Sequence, residues 1–369
     1  MLGGAVKVAI VAVVVYKIAE SVLRPSADSY KKHYPGECSQ VKGLNLGSED
    51  FEVTKDGLAF VTSGLWFPGV SHEFKEFLKT NNVKGNIFIY DFKKPELGAI
   101  KLKVIPSKDL DLEIFHPHGI SLLEDESKGE HLIYVVNHRE NADDAVEKFR
   151  YLPKTNELVH LKSFSGNTLH ITNDLAVLAE DKFYITNFLY FKNPYLRMLE
   201  HVFSSFGFGS LVFFNGTDFT VVNPSMNSPN GLFLSTDKRI LYLALPRERS
   251  VKAFQINNDY SLVEIQSVVI DTSPDNLHLS QSGDALYTGA HPVVLKTIKH
   301  LGDPRLPAPS SVVKIPLKDG KIVPEEITEL FYDHGQLISA SSVAAVYNNK
   351  LLIGSVTHKL VICDTNKKL

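Results

Sequence analysis

Six stretches of the chain repeat one pattern of polar and apolar positions. Each stretch opens with polar residues, continues as an apolar run, turns on Asp, Gly, Lys or Asn, and returns as a second apolar run. The six copies start at Glu49, His118, Asn173, Asn230, Asp275 and Ser341. Two short apolar runs joined by a turn are typical of an antiparallel hairpin. The pattern therefore predicts six related hairpins.

The spacing of these hairpins favours a β-propeller. Their starts lie about 45 to 70 residues apart, and further strand-like runs fill the intervals at 86–92, 251–256 and 310–317. A four-stranded sheet cannot bury both faces without neighbouring sheets, so repeats of this length indicate a ring of blades. We predict an all-β, six-bladed propeller. Two packed sandwiches are the alternative, but they give no reason for a shared opening.

The segment 193–214 departs furthest from the repeat. An approximate helical stripe is formed by Leu196, Leu199, Val202, Phe203 and Phe206. We expect a helix laid over one mouth of the propeller. It either packs on the barrel, or serves as a lid or a membrane-contacting surface.

An apolar run at the N-terminus sets the expected location. Residues 2–16 are interrupted only by Lys7, and extension to Leu23 approaches the roughly 20 residues of a membrane-spanning helix. We predict a retained signal anchor at 1–24 and the propeller at 25–369, with a cleaved signal peptide or a buried helix as alternatives. The anchor places the domain in the endoplasmic reticulum or at the cell surface, whereas cleavage would make it secreted.

Composition agrees with a folded domain and excludes one class of partner. The 369 residues are 44% hydrophobic and 22% charged, which is enough apolar material for a substantial core. The formal net charge is -3 and the basic residues are scattered, so no nucleic-acid surface is indicated.

Two features depend on passage through the secretory pathway. In an oxidising compartment, Cys38 and Cys363 at opposite ends of the domain predict a disulfide that closes the ring; in a reducing one they are two thiols. Asn215 begins the single glycosylation sequon, Asn-Gly-Thr.

The polar openings of the hairpins suggest a metal site. In a propeller the innermost strands start near the central channel, so these residues face one another: Glu49, Asp50, His118, Asn173, Asp174, Asn230, Asp275 and Asn276. Carboxylate and carboxamide oxygens without sulfur suit a hard cation, and Ca²⁺ accepts them in loose geometry. A turn at each strand start is the simpler explanation for any single copy, but it does not explain why several copies share the feature.

Two histidines bracket the second hairpin. His118 lies at the entry of its first strand and His138 at the exit of its second, so antiparallel pairing brings both toward the same mouth. Such a pair can keep a neutral base near its working pKa and relay a proton outward. A structural role is the alternative, although a neighbouring calcium site favours catalysis.

Short motifs from Cys38 to Cys363 carry a family resemblance. They are SEDFEV, PHGISL, VVNH, NDLAVL, PNGLFLS, PDNLHLS, GAHP and KLLIGSVTHKLVIC. In order and spacing they resemble the paraoxonase/arylesterase family. The resemblance implies a propeller with two calcium ions in its tunnel, and hydrolysis of lactones, aryl esters and, for some members, organophosphates.

The resemblance also implies roles for individual residues. The catalytic calcium would be bound by Glu49, Asn173, Asn230, Asp275 and Asn276. The structural calcium would be bound by Asp50, Asp174 and the carbonyl of Ile120. His118 and His138 match the family's catalytic dyad, His291 matches a pocket histidine, and Cys38 and Cys363 match the closing disulfide.

Two departures from the family pattern leave a second function open. Phe188 and Leu189 stand where many relatives carry an acidic residue and a histidine, and Ala290 replaces a third cysteine. The apolar pair and the predicted anchor favour a non-enzymatic accessory protein or chaperone for membrane channels, as in paraoxonase-like proteins of nematodes. The complete calcium ligand set favours a hydrolase of small ester or lactone substrates.

Overall fold

The structure is a computed structural model that describes residue 12 and residues 30–68, 70–125, 130–140, 142–203 and 206–365. Apart from position 12, the predicted signal anchor at 1–24 lies outside these residues. In the part of the chain described, no helix has the length and apolar character needed to cross a bilayer.

Six sheets are arranged as the blades of a propeller. Strand β1 (Cys38–Gln40) precedes the first blade and joins the last one. Blade 1 contains β2 (Phe51–Val53), β3 (Leu58–Ser63), β4 (Asn86–Asp91) and β5 (Ala99–Lys101). Blade 2 contains β6 (Lys103–Ile105), β7 (Pro117–Asp125), β8 (Glu130–Asn137), β9 (Ala145–Leu152) and β10 (Glu157–Phe164). Blade 3 contains β11 (Ile171–Ala179), β12 (Lys182–Leu189), β13 (Gly209–Phe214) and β14 (Phe219–Met226).

The second half of the ring follows the same plan. Blade 4 contains β15 (Leu232–Leu234), β16 (Ile240–Leu245), β17 (Ser250–Ile256) and β18 (Leu262–Val269). Blade 5 contains β19 (Ser273–Leu279), β20 (Ala285–His291), β21 (Ser310–Lys318), β22 (Lys321–Ile322) and β23 (Thr328–Asp333). Blade 6 contains β24 (Ser341–Tyr347), β25 (Lys350–Ser355) and β26 (Val361–Asp364), together with β1. The six predicted hairpins are therefore confirmed as the two innermost strands of each blade.

Three α-helices join the second and third strands of alternate blades. They are α1 (His72–Thr80), α2 (Pro194–Val202) and α3 (Val294–Gly302). Short 3₁₀ turns occur at Pro95–Leu97, Leu112–Ile114 and Pro324–Glu326. Because the second strand of a blade runs back toward the start of the first, all three α-helices lie at one end of the tunnel. We call this end, where the innermost strands begin, the entry mouth.

Apolar side chains between adjacent blades form the core. Six clusters of buried residues fill the six interfaces between neighbouring sheets. A buried tyrosine recurs on the strand next to the innermost one in blades 2 to 5, at Tyr134, Tyr184, Tyr242 and Tyr287. Three of these hydroxyls donate hydrogen bonds: Tyr134 to Asp181, Tyr184 to the carbonyl of Tyr260 and Tyr242 to the carbonyl of Gly320. Each blade thus covers the face of the next, as a ring of sheets requires.

The structure corrects the interpretation of segment 193–214. Helix α2 ends at Val202, and Gly209–Phe214 is a strand, because its apolar residues pair with β12 in the blade 3 sheet. The side of α2 that contacts the protein is also not the apolar stripe. Arg197 and Glu200 are 9% and 3% exposed, whereas Leu196 and Leu199 are 43% and 49% exposed. Glu200 accepts the amides of residues 190 and 191, which holds the polar side of the helix against the propeller.

The ring closes through strand pairing and one covalent bond. Strand β1 pairs antiparallel with β26, which places Cys38 opposite Cys363. The two residues form a disulfide across a sequence separation of 325. The predicted disulfide is therefore confirmed, and it links the first described strand to the last.

Removal of this disulfide should destabilise the propeller. The double variant Cys38→Ala/Cys363→Ala should lose about 2–5 kcal/mol of unfolding free energy, since an uncrosslinked chain gains conformational freedom when it unfolds. Denaturant unfolding of both proteins, without reductant, measures the difference. An unchanged midpoint, with the wild-type bond verified by mass spectrometry, would contradict this expectation.

Candidate metal and catalytic site

Irregularities in the innermost strands accompany the polar residues at the entry mouth. The ladder of the first two strands slips in blades 2, 3, 5 and 6, between Pro117 and Ile120, Thr172 and Leu175, Pro274 and Leu277, and Ser341 and Val343. In blades 2, 3 and 5, the residues at these slips are predicted site residues or their direct neighbours: His118, Gly119, Asn173, Asp174, Asp275 and Asn276. A bulge re-aims side chains that regular alternation would place on opposite faces, so adjacent residues can both serve the tunnel.

Threonines on the second strands of blades 1, 3 and 5 satisfy backbone groups of acidic residues at the entry mouth. Each hydroxyl accepts an acidic residue's amide hydrogen: Thr62 from Asp50 at 3.2 Å, Thr186 from Asp174 at 3.0 Å, and Thr288 from Asp275 at 3.3 Å. The hydroxyls of Thr62 and Thr186 also donate to the carbonyls of the same residues. A threonine follows apolar residues in VTSG, ITNF and YTGA, which is the signal that sequence reasoning missed.

Asp50 and Asp174 each connect their own blade to the next. Asp50 Oδ2 accepts the amide of Ile120 at 3.0 Å, and Asp174 Oδ2 accepts that of Leu232 at 2.6 Å. Ile120 therefore contacts Asp50 through its amide group. Burial raises the pKa of both carboxyls well above the ordinary value, and nearby carboxylates add to the effect. Both residues also line a cavity of about 470 Å³ in the tunnel beyond them.

Two glycines allow the innermost strands to approach closely. A β-carbon on Gly119 would lie 2.4 Å from Asp174 Oδ1, and one on Gly231 would lie 2.5 Å from the α-carbon of Asn276. Any side chain at these positions would displace a candidate ligand. This explains why a glycine follows His118 and Asn230.

The buried oxygens at the entry mouth fit a hard cation. Within the described part of the chain, no hydrogen-bond partner is found for Glu49 Oε2, Asn173 Oδ1, Asn230 Oδ1 or Asn276 Oδ1. The orientation of Asn276 is set by Glu49, because its Nδ2 donates to the Glu49 carbonyl at 3.2 Å and to Oε1 at 3.0 Å. Unpaired buried acceptors are costly, and a calcium ion would satisfy several of them together.

Histidine and acidic residues alone do not form a metal cluster here. Among the residues described, no three His, Cys, Asp or Glu side chains converge tightly enough to hold an ion. A cation would depend on the asparagine carboxamide oxygens as well. This composition suits calcium better than zinc, which takes nitrogen and sulfur ligands.

The two predicted histidines are in direct contact. His118 Nδ1 lies 2.8 Å from His138 Nε2, and both rings are buried. On the tunnel side, His118 Nε2 lies 3.4 Å from Glu49 Oε1 and 3.4 Å from Asn173 Nδ2. Burial lowers the pKa of His118, but the Glu49 carboxylate outweighs it and the net shift is upward.

A carboxylate that the sequence did not single out lies behind this pair. Asp144 Oδ2 is 3.0 Å from His138 Nδ1 and accepts the amide and the hydroxyl of Thr172, each at 2.9 Å. Burial alone would raise the pKa of Asp144, yet His138 and Thr172 hold it below the ordinary value. The sequence reads Asp143-Asp144 before β9, and nothing in the pair shows which carboxylate is buried.

The three predicted pocket residues lie at strand ends near the entry mouth. His291 ends β20, and its Nε2 is 2.8 Å from Asp275 Oδ2. Phe188 and Leu189 end β12, where Leu189 is buried and Phe188 half-buried. The structure thus brings an imidazole against a candidate ligand and leaves apolar side chains at the end of the blade 3 strand.

Comparison with known proteins identifies the family. A sequence profile described as Arylesterase matches residues 30–365. Serum paraoxonase/arylesterase 1 of Homo sapiens is 32% identical over 329 residues, which cover 89% of this chain and 88% of that protein. Serum paraoxonase/arylesterase 2 of Gallus gallus shows the same identity and coverage. The chain belongs to the arylesterase family. Another similar protein, serum paraoxonase/lactonase 3 of Mus musculus, is 31% identical over 332 residues, 89% of each chain.

Solved structures support the propeller fold of this arylesterase family member. The calcium-binding protein regucalcin of Agrobacterium tumefaciens has a TM-score of 0.51 at 12% identity, covering 92% of this chain and 98% of its own. A putative gluconolactonase has a TM-score of 0.50 at 12% identity, covering 93% of each chain. Likeness at such low identity shows a shared fold alone.

Calcium should stabilise protein from which bound metal has first been removed with a chelator. We expect added Ca²⁺ to raise the thermal midpoint by several degrees, because binding to the native state alone favours folding. Asn230→Ala removes one unpaired oxygen and should weaken calcium affinity at least about tenfold. The calcium-dependent rise in the thermal midpoint should therefore be smaller in this variant. Differential scanning calorimetry with and without calcium measures both shifts.

The matched control is Asn215→Gln, which alters an exposed amide in a turn. Its calcium-dependent rise should equal that of the wild type. A wild-type midpoint that does not respond to calcium would contradict the assignment of a cation site.

Proposed function

We propose that this arylesterase family member is a calcium-dependent hydrolase of lactones and aryl esters. The observation that carries the proposal is the His118–His138 pair at 2.8 Å, placed against the unpaired oxygens of the entry mouth. The names of the relatives, arylesterase and lactonase, point to the same substrate class. A base and a cation site at one mouth are the two elements that metal-assisted ester hydrolysis needs.

The candidate ligands divide into two sets. One ion would be held by Glu49, Asn173, Asn230, Asp275 and Asn276. A second, structural ion would be held by Asp50, Asp174 and the carbonyl of Ile120. When bound at the first set, calcium supplies polarisation of the ester carbonyl and stabilisation of the oxyanion.

In this proposal the protein itself contributes a general base, His118, which acts on the attacking water. His118 Nε2 faces the tunnel, and its other nitrogen contacts His138. His118 accepts the proton of an attacking water, while His138 takes up the proton from His118 Nδ1. Burial of both rings keeps bulk water away from this transfer.

The apolar end of β12 affects which substrates bind. Phe188 and Leu189 offer no hydrogen bond from their side chains, so recognition near them rests on apolar contact. His291 offers a polar contact on the blade 5 side. We therefore infer a preference for esters and lactones with an aryl or alkyl substituent over highly hydroxylated lactones.

We also propose a location in the secretory pathway, with residues 1–24 as a retained anchor. The disulfide between Cys38 and Cys363 supports an oxidising compartment. Asn215 lies in the exposed turn between β13 and β14, where its Oδ1 accepts the amides of Thr217 and Asp218. Such a turn is open to glycosylation.

Hydrolysis of a small panel of lactones and aryl esters tests the function. The purified lumenal domain should be active with calcium, and both chelation and Asn276→Ala should abolish activity toward every substrate. His118→Gln should lower kcat by about 10²–10⁴-fold for substrates that need a general base.

His33→Gln is the control, since this exposed histidine bridges to Tyr332 on the outer strand β23 of blade 5, away from the entry-mouth residues. Its rates should match the wild type. A folded, calcium-loaded protein that is inactive on the whole panel would overturn the hydrolase proposal and would point to an accessory role in channel assembly.

Glycosylation tests the location independently of activity. Protein expressed in animal cells should gain electrophoretic mobility after treatment with peptide N-glycosidase, because the enzyme removes a glycan from Asn215. Asn215→Gln should show the faster mobility without treatment, whereas Asn257→Gln in another exposed turn should behave as wild type. Equal mobility of treated and untreated wild-type protein would refute the modification.

A further inference from the structure

Three hydrogen-bond donors converge on one oxygen of Asp144. His138 Nδ1 lies 3.0 Å from Asp144 Oδ2, and Thr172 directs its amide and its hydroxyl at the same atom from 2.9 Å. Asp144 comes just before β9 in blade 2, whereas Thr172 lies on β11 in blade 3. The side chain is fully buried. The carboxylate is thus fixed by two blades behind the catalytic pair.

This arrangement sets the position of each ring hydrogen. A carboxylate only accepts hydrogen bonds, so His138 must carry its hydrogen on Nδ1. In the neutral ring Nε2 is then bare, and it accepts the hydrogen of His118 Nδ1 at 2.8 Å. His118 Nε2 is left bare on the tunnel side, near Glu49 and Asn173.

We propose that Asp144 is the positioning residue that fixes the tautomers of His118 and His138 so that the basic nitrogen of the pair faces the tunnel. The role rests on the proposed hydrolase function. Asp144 stays ionised throughout. When water gives a proton to His118 Nε2, the proton on His118 Nδ1 passes to His138 Nε2, and the cationic His138 ring then lies against the Asp144 carboxylate.

The reverse arrangement shows what the carboxylate prevents. With hydrogens on Nε2 of both rings, His138 could still donate to His118, but the tunnel-facing nitrogen of His118 would be protonated and unable to act as a base. A buried carboxylate beside His138 Nδ1 excludes this state, because it would leave two acceptors facing each other.

Kinetics of paired aspartate variants test the role. Asp144→Asn keeps the shape but either presents a neutral, weaker acceptor to His138 or turns its amide donor toward it. We expect kcat to fall about 10–100-fold with KM within about twofold. The control is Asp143→Asn, which removes the same charge from the neighbouring exposed residue paired with Lys192. It should match the wild type.

Nitrogen-15 spectroscopy of the histidine rings supplies a readout that does not need activity. In the calcium-loaded wild-type protein, His138 should show a protonated Nδ1 and a bare Nε2, with signals assigned through His118→Gln and His138→Gln. Asp144→Asn should mix or invert the two tautomers, and Asp143→Asn should not.

The two readouts separate failure of this role from failure of the proposed function. A wild-type His138 that carries its hydrogen on Nε2, or an Asp144→Asn protein that keeps wild-type kcat and tautomers, overturns the role of Asp144. If the wild type hydrolyses no ester or lactone, the proposed function fails, and the wild-type spectrum still decides the tautomer assignment.

Discussion

Burial of acidic side chains on the axis of the ring is the constraint on which the rest of the structure depends. Glu49, Asp50, Asp174 and Asp275 are each at most 5% exposed. Burial and mutual repulsion raise the pKa of Asp50 and Asp174 well above the ordinary value. Buried carboxylates need hydrogen-bond donors and a counter-charge, and backbone amides that serve as donors lie at the entry mouth. The neighbouring blade supplies the amides of Ile120 and Leu232.

The slips in the innermost strands allow the backbone to bring several polar side chains to the entry mouth. Regular alternation sends neighbouring side chains to opposite faces of a sheet, whereas the site draws on adjacent residues such as Asn173 and Asp174. The bulge frees backbone groups, and a threonine hydroxyl takes their hydrogen bonds. Glycine on the adjoining blade then leaves room for the close approach. The same backbone features therefore place the candidate ligands and allow neighbouring blades to pack closely.

The entry mouth has buried polar side chains on its inner side and exposed apolar side chains around it. Under it, Asp144 and Thr172 join blades 2 and 3 behind the histidine pair. Above it, helix α2 is held by its polar side and exposes Leu196 and Leu199. The candidate ligands come from the innermost strands and the histidine pair from β7 and the end of β8, while α2 lies outside these strands. Phe188 and Leu189, at the end of β12, add apolar side chains near this mouth.

The sequence by itself determined the six blades, the disulfide partners and nearly all polar residues of the entry mouth. The blades and their polar openings follow from local patterns, since a hairpin is encoded by its own alternation and turn, and the disulfide partners follow from the presence of only two cysteines. Only the tertiary structure decided which side of α2 packs, where that helix ends, and that Asp144 rather than Asp143 reaches His138. Amphipathic periodicity favours burial of the apolar side, but partners outside the helix, such as the distant carbonyl of Pro68 that accepts a hydrogen bond from Arg197, reversed that preference. Contacts between blades depend on residues far apart in the chain, and no local pattern records them.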